Sequence, residues 1–194
     1  MNTGDTAFMM ICAALVFFMT PGLAFFYGGL VRRKNVCNTI MACVAIMGLS
    51  VVMWTLFGYS LSFGGNHAGI IGDFRWFGLN GVGMEAGPYA DSIPHLVFCA
   101  FQMMFAMITP ALITGSLVGR MKFTHMVWGD GGFLAAIGSV DFAGGDVVHI
   151  SSGISALVLA IILGRRRGYE HTTYRIHNIP SVVLGASLLW FGWF

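Results

Sequence analysis

The most informative scarcity in this sequence is charge. Only 9% of its 194 residues are charged, whereas about a quarter of a soluble domain is. Because 57% of the residues are hydrophobic, the chain is predicted to be an integral membrane protein. The net charge is only +2, and the basic residues fall in short clusters between apolar runs, so no nucleic-acid partner is expected.

Residue patterns for metals, disulfides and hydrolytic chemistry are missing as well. The four cysteines have no CxxC spacing, so neither a zinc site nor a disulfide framework is indicated. The sequence contains no GxSxG or HExxH motif, and an enzyme is therefore not expected. It likewise indicates no cofactor.

Long apolar runs are what the sequence contains instead. They predict an all-α, polytopic membrane helix bundle that forms a single domain over residues 1–194. The polar stretch 64–92 is predicted to be an outer loop with a short interfacial piece at 74–77. The runs that could cross a bilayer are 7–31, 39–63, 93–118, 147–163 and 179–194.

Basic clusters predict how these spans are oriented. The cluster 32–34 follows the first span, so the positive-inside rule places that end in the cytoplasm and the N-terminus outside, in a multi-pass protein of the cell membrane. The clusters at 120–122 and 165–167 also favour the cytoplasm, yet only one good apolar run separates them. Either residues 123–142 re-enter and turn back within protein cover, or a span is missing. Because the sequence ends at Phe194 inside an apolar run, a fragment is expected.

One histidine, His149, lies in the fourth apolar run, directly after an acidic, glycine-rich turn that includes Asp141 and Asp146. An ionisable residue inside a membrane is a functional candidate, although a histidine that hydrogen-bonds across a helix contact is the alternative. Both acids lie beside the first turn of the predicted helix, where free N–H groups and the positive dipole end favour carboxylates. Local, structural roles are therefore predicted for the two acids.

Helical spacing predicts which face His149 occupies. Its neighbours at i+3, i+4 and i+7 are Ser152, Gly153 and Ala156, so the imidazole is expected on a narrow face that another helix can approach closely. Ligation of a haem or metal ion by His95 and His149 is a weaker alternative, because the two histidines are expected at different depths in the bundle.

The third span carries an aromatic stripe. Phe98, Phe101 and Phe105 fall at i, i+3 and i+7, with Gln102 beside them. Pattern alone favours helix packing for such a stripe.

Five motifs together resemble the ammonium transporter family (Amt/Mep/Rh). The resemblance implies an eleven-span fold of two inverted five-helix repeats, usually trimeric, with one narrow pore per subunit. In chain order the motifs are PGLAFFYGGLVRRKN at 21–35, FQMMF at 101–105, HMVWG at 125–129, the turn and helix start at 141–149, and LWFGWF at 189–194.

The resemblance also implies roles for individual residues. Trp128 would help form an outer vestibule that recruits ammonium by cation–π attraction. Phe101 and Phe105 would form the constriction below it, with Phe105 in the outer gate. His149 would be the first of two pore histidines, and Asp141 the buried acid that supports the turn and the recruitment site.

The implied function is transport: ammonium is recruited outside, loses its proton near the gate, and ammonia passes the histidines. The implied partners are ammonium and ammonia, the lipid bilayer and two further copies of the chain, and a cytosolic regulatory protein is left open. A non-conducting sensor on the same fold is the alternative. About 20 residues of the family pattern, its fourth span, are missing between Phe123 and Thr124, and the second repeat is absent, so this chain alone is expected to be inactive.

Overall fold

The computed structural model describes residues 1–67, 71–117, 137–141, 144–165 and 175–194. Within these residues four helices are long and apolar enough to cross a membrane, and a fifth apolar helix is shorter. The prediction of a polytopic helical membrane protein is thereby confirmed. The helices are α1 (Thr3–Leu30), α2 (Arg33–Phe63), α3 (His95–Leu117), α4 (Gly145–Leu163) and α5 (Ile179–Gly192).

Capping residues explain where the outermost helices begin. The Asn2 side chain accepts hydrogen bonds from the Gly4 and Asp5 N–H groups at 2.8 and 3.4 Å, so α1 begins before the apolar run. The Asn178 side chain accepts the Ser181 N–H at 3.1 Å in the same way, at the start of α5. Helix α2 is less regular, because it contains a π turn at Trp54–Gly58.

Helices α1 and α3 run in the same direction. The Asn2 N–H donates to the carbonyl of Ser92, just before α3, at 2.6 Å. At the other end, the Tyr27 hydroxyl donates to the carbonyl of Leu112 at 2.9 Å. The starts of the two helices therefore lie close together, and so do their ends.

Helices α2 and α5 run antiparallel to this pair. Cys43, early in α2, contacts Thr114, late in α3, at 3.7 Å, whereas the indole of Trp54 donates to the Cys99 carbonyl near the start of α3. At the start of α5, the Asn178 N–H donates to the Gly29 carbonyl at the end of α1 at 3.1 Å.

Glycines allow α1 and α5 to touch backbone to backbone. A Cβ at Gly185 would lie 2.3 Å from the Phe26 backbone nitrogen, and one at Gly29 would lie 2.7 Å from the Asn178 carbonyl oxygen. Neither position could hold a larger residue without separating the helices, so small residues fix this interface.

The buried side chains form two clusters. A central cluster joins α1, α3 and the start of α4 and includes Leu23, Ile108 and Val148, with Phe101 and Phe105 packed against it. An outer aromatic cluster joins α2, α3 and the outer loop, and its members are Trp54, Tyr59, Val82 and Cys99, with Phe63, Trp76 and Phe98 among the rings around them.

Apolar side chains also cover the outside of the bundle. Leu157 and Ile161 of α4 are 61% and 70% exposed, and Phe8 of α1 is 62% exposed. A water-soluble protein rarely leaves so much apolar surface uncovered, but surrounding lipid or further membrane helices would cover it at no cost.

The outer loop contains structure that the sequence analysis did not predict. Its second half forms a short antiparallel hairpin of β1 (Ala86–Gly87) and β2 (Ala90–Pro94) that leads into α3. The expected interfacial piece at 74–77 overlaps a 3₁₀ turn at Phe77–Leu79. Nearby, hydrogen bonds from the Arg75 guanidinium lower the pKa of the Asp73 carboxyl to about 2.

Candidate functional site

The first turn of α4 is held by the carboxylate of Asp141. Its two oxygens accept the N–H groups of Gly145, Asp146 and Val147 at 2.8, 3.1 and 3.1 Å. Three of the N–H groups that a helix start leaves unpaired are thus satisfied by one side chain. Partial burial raises the pKa of the Asp141 carboxyl, but the N–H donors of these residues outweigh it, so its pKa lies below the usual value.

The turn before α4 requires a glycine. Gly144 has φ of 80°, a left-handed conformation that side-chain-bearing residues rarely adopt. Beside it, the Ser139 hydroxyl donates to the carboxylate of Asp146. Both acids of the motif therefore make local hydrogen bonds, as their position in the sequence predicts.

The first turn of α4 is a π turn. It spans Gly145–Ile150, and the His149 N–H donates to the Gly144 carbonyl, five residues back, at 3.2 Å. Single π turns are frequent at functional sites because they change which way the following side chains point.

The described residues place only part of the predicted face of α4 against the bundle. Ser152 packs there together with Val148, the two being 5% and 6% exposed, whereas His149 itself is exposed. A Cβ at Gly153 would meet nothing within 4 Å, so no helix approaches closely there within the described residues. The close approach of another helix to this face therefore stays a prediction.

Among the described residues His149 has one ring partner, Trp193, near the end of α5. The two rings are 5.7 Å apart between centroids and nearly parallel, at 11°. Within the described residues no hydrogen bond to the imidazole nitrogens is found, so both remain available to a passing molecule. Sequence reasoning missed Trp193, because 44 residues separate it from His149 and only the family motif 189–194 marks the region.

Phe101 and Phe105 form a ring pair on α3. Their centroids are 5.1 Å apart and their planes meet at 80°, an edge-to-face arrangement. Both are partly buried and pack against the central cluster, which also holds Val148. The ring pair and the start of α4 therefore pack in the same cluster, to which α4 contributes Val148, the residue before His149.

Trp128, the expected vestibule residue, lies outside the described residues, as does His125. The structure thus brings together Phe101, Phe105 and the α4 turn with Asp141 and His149, and the roles expected of them stay predictions.

His95 lies in a different place from His149. It is 5% exposed, and its Nε2 atom is hydrogen-bonded to the Tyr59 hydroxyl at 2.5 Å inside the outer aromatic cluster. The nitrogen that would ligate a metal is therefore already engaged. Among the described residues no group of three or more His, Cys, Asp or Glu side chains could hold a metal ion, and the weaker ligation alternative finds no support there.

These observations define the class of protein: a polytopic membrane helix bundle with a ring pair on one spanning helix and, within the described residues, an exposed histidine at the start of another. The model of the Ammonium Transporter Family matches residues 7–126 and 123–194 of the chain. The chain therefore belongs to the ammonium transporter family, as its motifs predict.

Similar proteins support the same membership. An ammonium transporter of Bacillus subtilis (strain 168) is 47% identical over 212 residues, which covers 100% of this chain and 52% of that protein. The crystal structure of Saccharomyces cerevisiae Mep2 has a TM-score of 0.83 and 32% identity, covering 96% of this chain and 46% of Mep2. A structure described as Sensor Amt Protein has a TM-score of 0.74 and 26% identity, covering 95% of this chain and 51% of that one.

The matches also locate a discontinuity. The chain spans about half the length of the curated relatives it matches. The aligned length of 212 residues exceeds the 194 residues of the chain by 18, and the two segments matched by the family model meet at residues 123–126. The junction of the two segments lies where the sequence analysis expects the missing span, and the span itself stays a prediction.

Proposed function

We propose that this chain is the first half of a protein that transports ammonium across the membrane. External ammonium is recruited at an aromatic vestibule that includes Trp128 and gives up its proton near Phe101 and Phe105. Ammonia then passes along a hydrophobic path lined by His149, and the proton is relayed separately through the His149 imidazole. The observation that carries the proposal is the exposed imidazole of His149, which is held at a defined place by the capped π turn of a spanning helix in a chain of this family.

The physical reason for such a path is the cost of desolvation. A bare ammonium ion in a dry pore loses its hydration, so it must either give up its proton or regain each hydrogen bond from the wall. A neutral imidazole can donate with one nitrogen and accept with the other, which suits a small hydrogen-bonding molecule. Stacking on Trp193 supports this role because it fixes the ring plane, while neither nitrogen is hydrogen-bonded within the described residues.

The remaining parts of the proposal concern the whole protein. The N-terminus faces outside, three copies of the chain associate, and a cytosolic regulatory protein can bind at the inner side. A second half of the kind that the relatives contain supplies the partner histidine and covers the apolar face of α4. The 194-residue chain by itself is inactive.

A non-conducting ammonium sensor is the second candidate, and the likeness to the Sensor Amt Protein favours it. Transport is preferred because the Bacillus subtilis relative, at 47% identity, is a transporter, whereas the sensor structure is 26% identical.

The test compares two histidines in the complete protein reconstituted in liposomes. Uptake of ammonium and its discrimination against potassium are measured for the wild type, for His149→Gln, and for His67→Gln as the matched control in the exposed outer loop. We expect His149→Gln to change uptake or discrimination by about tenfold, the factor of a single hydrogen bond lost in a dry path, and His67→Gln to behave as wild type.

Three other results are informative. If His149→Gln transports like the wild type, His149 has a packing role. If the wild type binds ammonium and carries none, the sensor candidate replaces the transporter. Uptake by the 194-residue chain alone would overturn the inactivity that we propose for it.

A further inference from the structure

The outer aromatic cluster contains a buried polar pair that the proposed transport pathway does not use. Tyr59 is fully buried and His95 is 5% exposed, and the hydroxyl of the first is hydrogen-bonded to Nε2 of the second at 2.5 Å. Burying a polar group in a membrane protein costs free energy unless the group is hydrogen-bonded, so the hydrogen bond between Tyr59 and His95 stabilises this part of the fold.

The backbone of His95 and Leu96 is hydrogen-bonded to the outer loop at the start of α3. The His95 N–H donates to the Glu85 carbonyl at 2.8 Å, and the Leu96 N–H donates to the Gly83 carbonyl at 3.0 Å. The loop backbone also presses on the imidazole, since a Cβ at Gly87 would lie 2.6 Å from two of its ring atoms. Loop, α2 and α3 are thereby joined at one histidine.

Aromatic rings surround this junction. The Trp76 ring stands edge-on to the His95 ring with a centroid distance of 5.1 Å. Tyr89 stacks on Phe98 at 5.4 Å, and its hydroxyl donates to the Phe63 carbonyl. The start of α3 therefore packs against aromatic rings on one side over about a full turn, from His95 to Cys99.

The ring pair Phe101 and Phe105 lies on the same rigid helix but on another face. The face of α3 that carries His95, Phe98 and Cys99 packs in the outer aromatic cluster, whereas Phe101 and Phe105 pack against the central cluster. At 1.5 Å per residue the two rings lie about 9 and 15 Å below His95 along the axis. No glycine or proline lies between His95 and Phe105, and the first proline, Pro110, follows the pair.

Helices kink at prolines, glycines or π turns, and none of these lies between His95 and Phe105, so this part of α3 turns as one piece. If the contacts of the His95 side chain are lost, α3 can turn about its axis, and both phenyl rings move relative to Val148 and the α4 turn. We infer that Tyr59 and His95 are positioning residues: their hydrogen bond fixes the rotational setting of α3 and with it the width of the Phe101–Phe105 constriction. This inference rests on the proposed transport function.

The experiment uses the complete protein with the conservative change Tyr59→Phe, which removes the hydroxyl and keeps the ring. Two quantities are measured. The first is the rate at which a thiol reagent labels Cys99, which is 2% exposed behind the outer aromatic cluster, in a background where Cys12, Cys37 and Cys43 are replaced by alanine. The second is the ratio of methylammonium to ammonium uptake in liposomes, which reports the width of the constriction.

We expect Tyr59→Phe to raise the Cys99 labelling rate and to change the uptake ratio, each about threefold, as the loss of one buried hydrogen bond implies. His95→Leu should change both in the same direction. His95→Gln, whose amide can meet the Tyr59 hydroxyl, should restore both toward wild type. Tyr27→Phe is the matched control for labelling, because it removes a hydroxyl that bonds to Leu112 at the far end of α3.

Each outcome decides between the possibilities. Faster labelling with an unchanged uptake ratio would show that the pair only stabilises the loop, and unchanged labelling would show that it does not hold α3; either result overturns the inference. A wild type that labels slowly but carries no substrate overturns the proposed transport function instead, so the two failures are distinguishable.

Discussion

Two histidines of this bundle occupy opposite environments. His95 is buried, bonded through Nε2 to Tyr59 and enclosed by rings. His149 is exposed, and its ring touches Trp193 on one face. The Nε2 atom of His95 is hydrogen-bonded within the fold, whereas neither ring nitrogen of His149 is hydrogen-bonded within the described residues.

The comparison teaches how to separate a packing histidine from a candidate pathway histidine. Both are ionisable residues in apolar helices, so residue type and hydropathy do not distinguish them. What distinguishes them is whether the ring nitrogens are satisfied and whether the neighbours leave room beside the ring. The predictions below test that distinction, from the largest expected effect to the smallest.

The largest effect is expected where the backbone presses on His95. In Gly87→Ala the new Cβ would lie 2.6 Å from the Cγ and Cδ2 atoms of the imidazole, and the ring cannot give way because it is bonded to Tyr59. We expect a loss of about 2–3 kcal/mol in the free energy of unfolding, typical of overpacking. Unfolding of the complete protein in mixed detergent micelles measures it.

The matched control is the glycine four residues after His149. Within the described residues a Cβ at Gly153 meets nothing within 4 Å, and alanine is the better helix former by up to about 1 kcal/mol, so Gly153→Ala should be neutral or stabilising. Equal destabilisation by the two changes would contradict the contrast between a closed and an open histidine environment.

A smaller effect is expected for the support of the His149 turn. Asp141→Ala leaves the N–H groups of Gly145, Asp146 and Val147 without their acceptor, and should cost about 1–2 kcal/mol, as the loss of a helix cap does. Asp91→Ala, which removes an exposed carboxylate of β2 in the outer loop, is the control and should cost less.

The effect of Asp141 should depend on pH in a defined direction. Its folded-state pKa lies below the usual carboxyl value of about 3.9, so the carboxylate stabilises the fold above that pH and the stabilisation is lost as the pH falls through the folded-state value. The wild type and Asp141→Ala should therefore converge in stability in acid. A gap that persists at the lowest pH at which the fold survives would assign the cost to something other than the charged cap.

The sequence predicted the features that depend on local chemistry. Apolar runs identify the helices because spans need about 20 apolar residues, and the spacing of Asp141 before the helix start predicts a cap. Hydropathy cannot reveal the π turn at Gly145–Ile150, because an α turn and a π turn can contain the same apolar residues.

Contacts between residues far apart in the sequence could not be predicted either. Tyr59 and His95 are 36 residues apart, and His149 and Trp193 are 44 apart, with no spacing rule to connect them. The roles expected of Phe101, Phe105 and Trp128 came from resemblance to a family and not from periodicity, which favoured packing. The family itself could be predicted because five separate motifs follow in order.

The smallest effect is expected at His149 itself. His149→Ala removes an exposed ring and one stacking contact with Trp193, so the free energy of unfolding should change by only about 0.5 kcal/mol, near the range of surface substitutions. His95→Ala, measured in the same micelles, should cost several times more, because it leaves the Tyr59 hydroxyl buried and unpaired. Small loss of stability together with altered transport is what a pathway residue should show. If His149→Ala destabilises as much as His95→Ala, the two histidines belong to the same packing class, and the open nitrogens of His149 lose their significance.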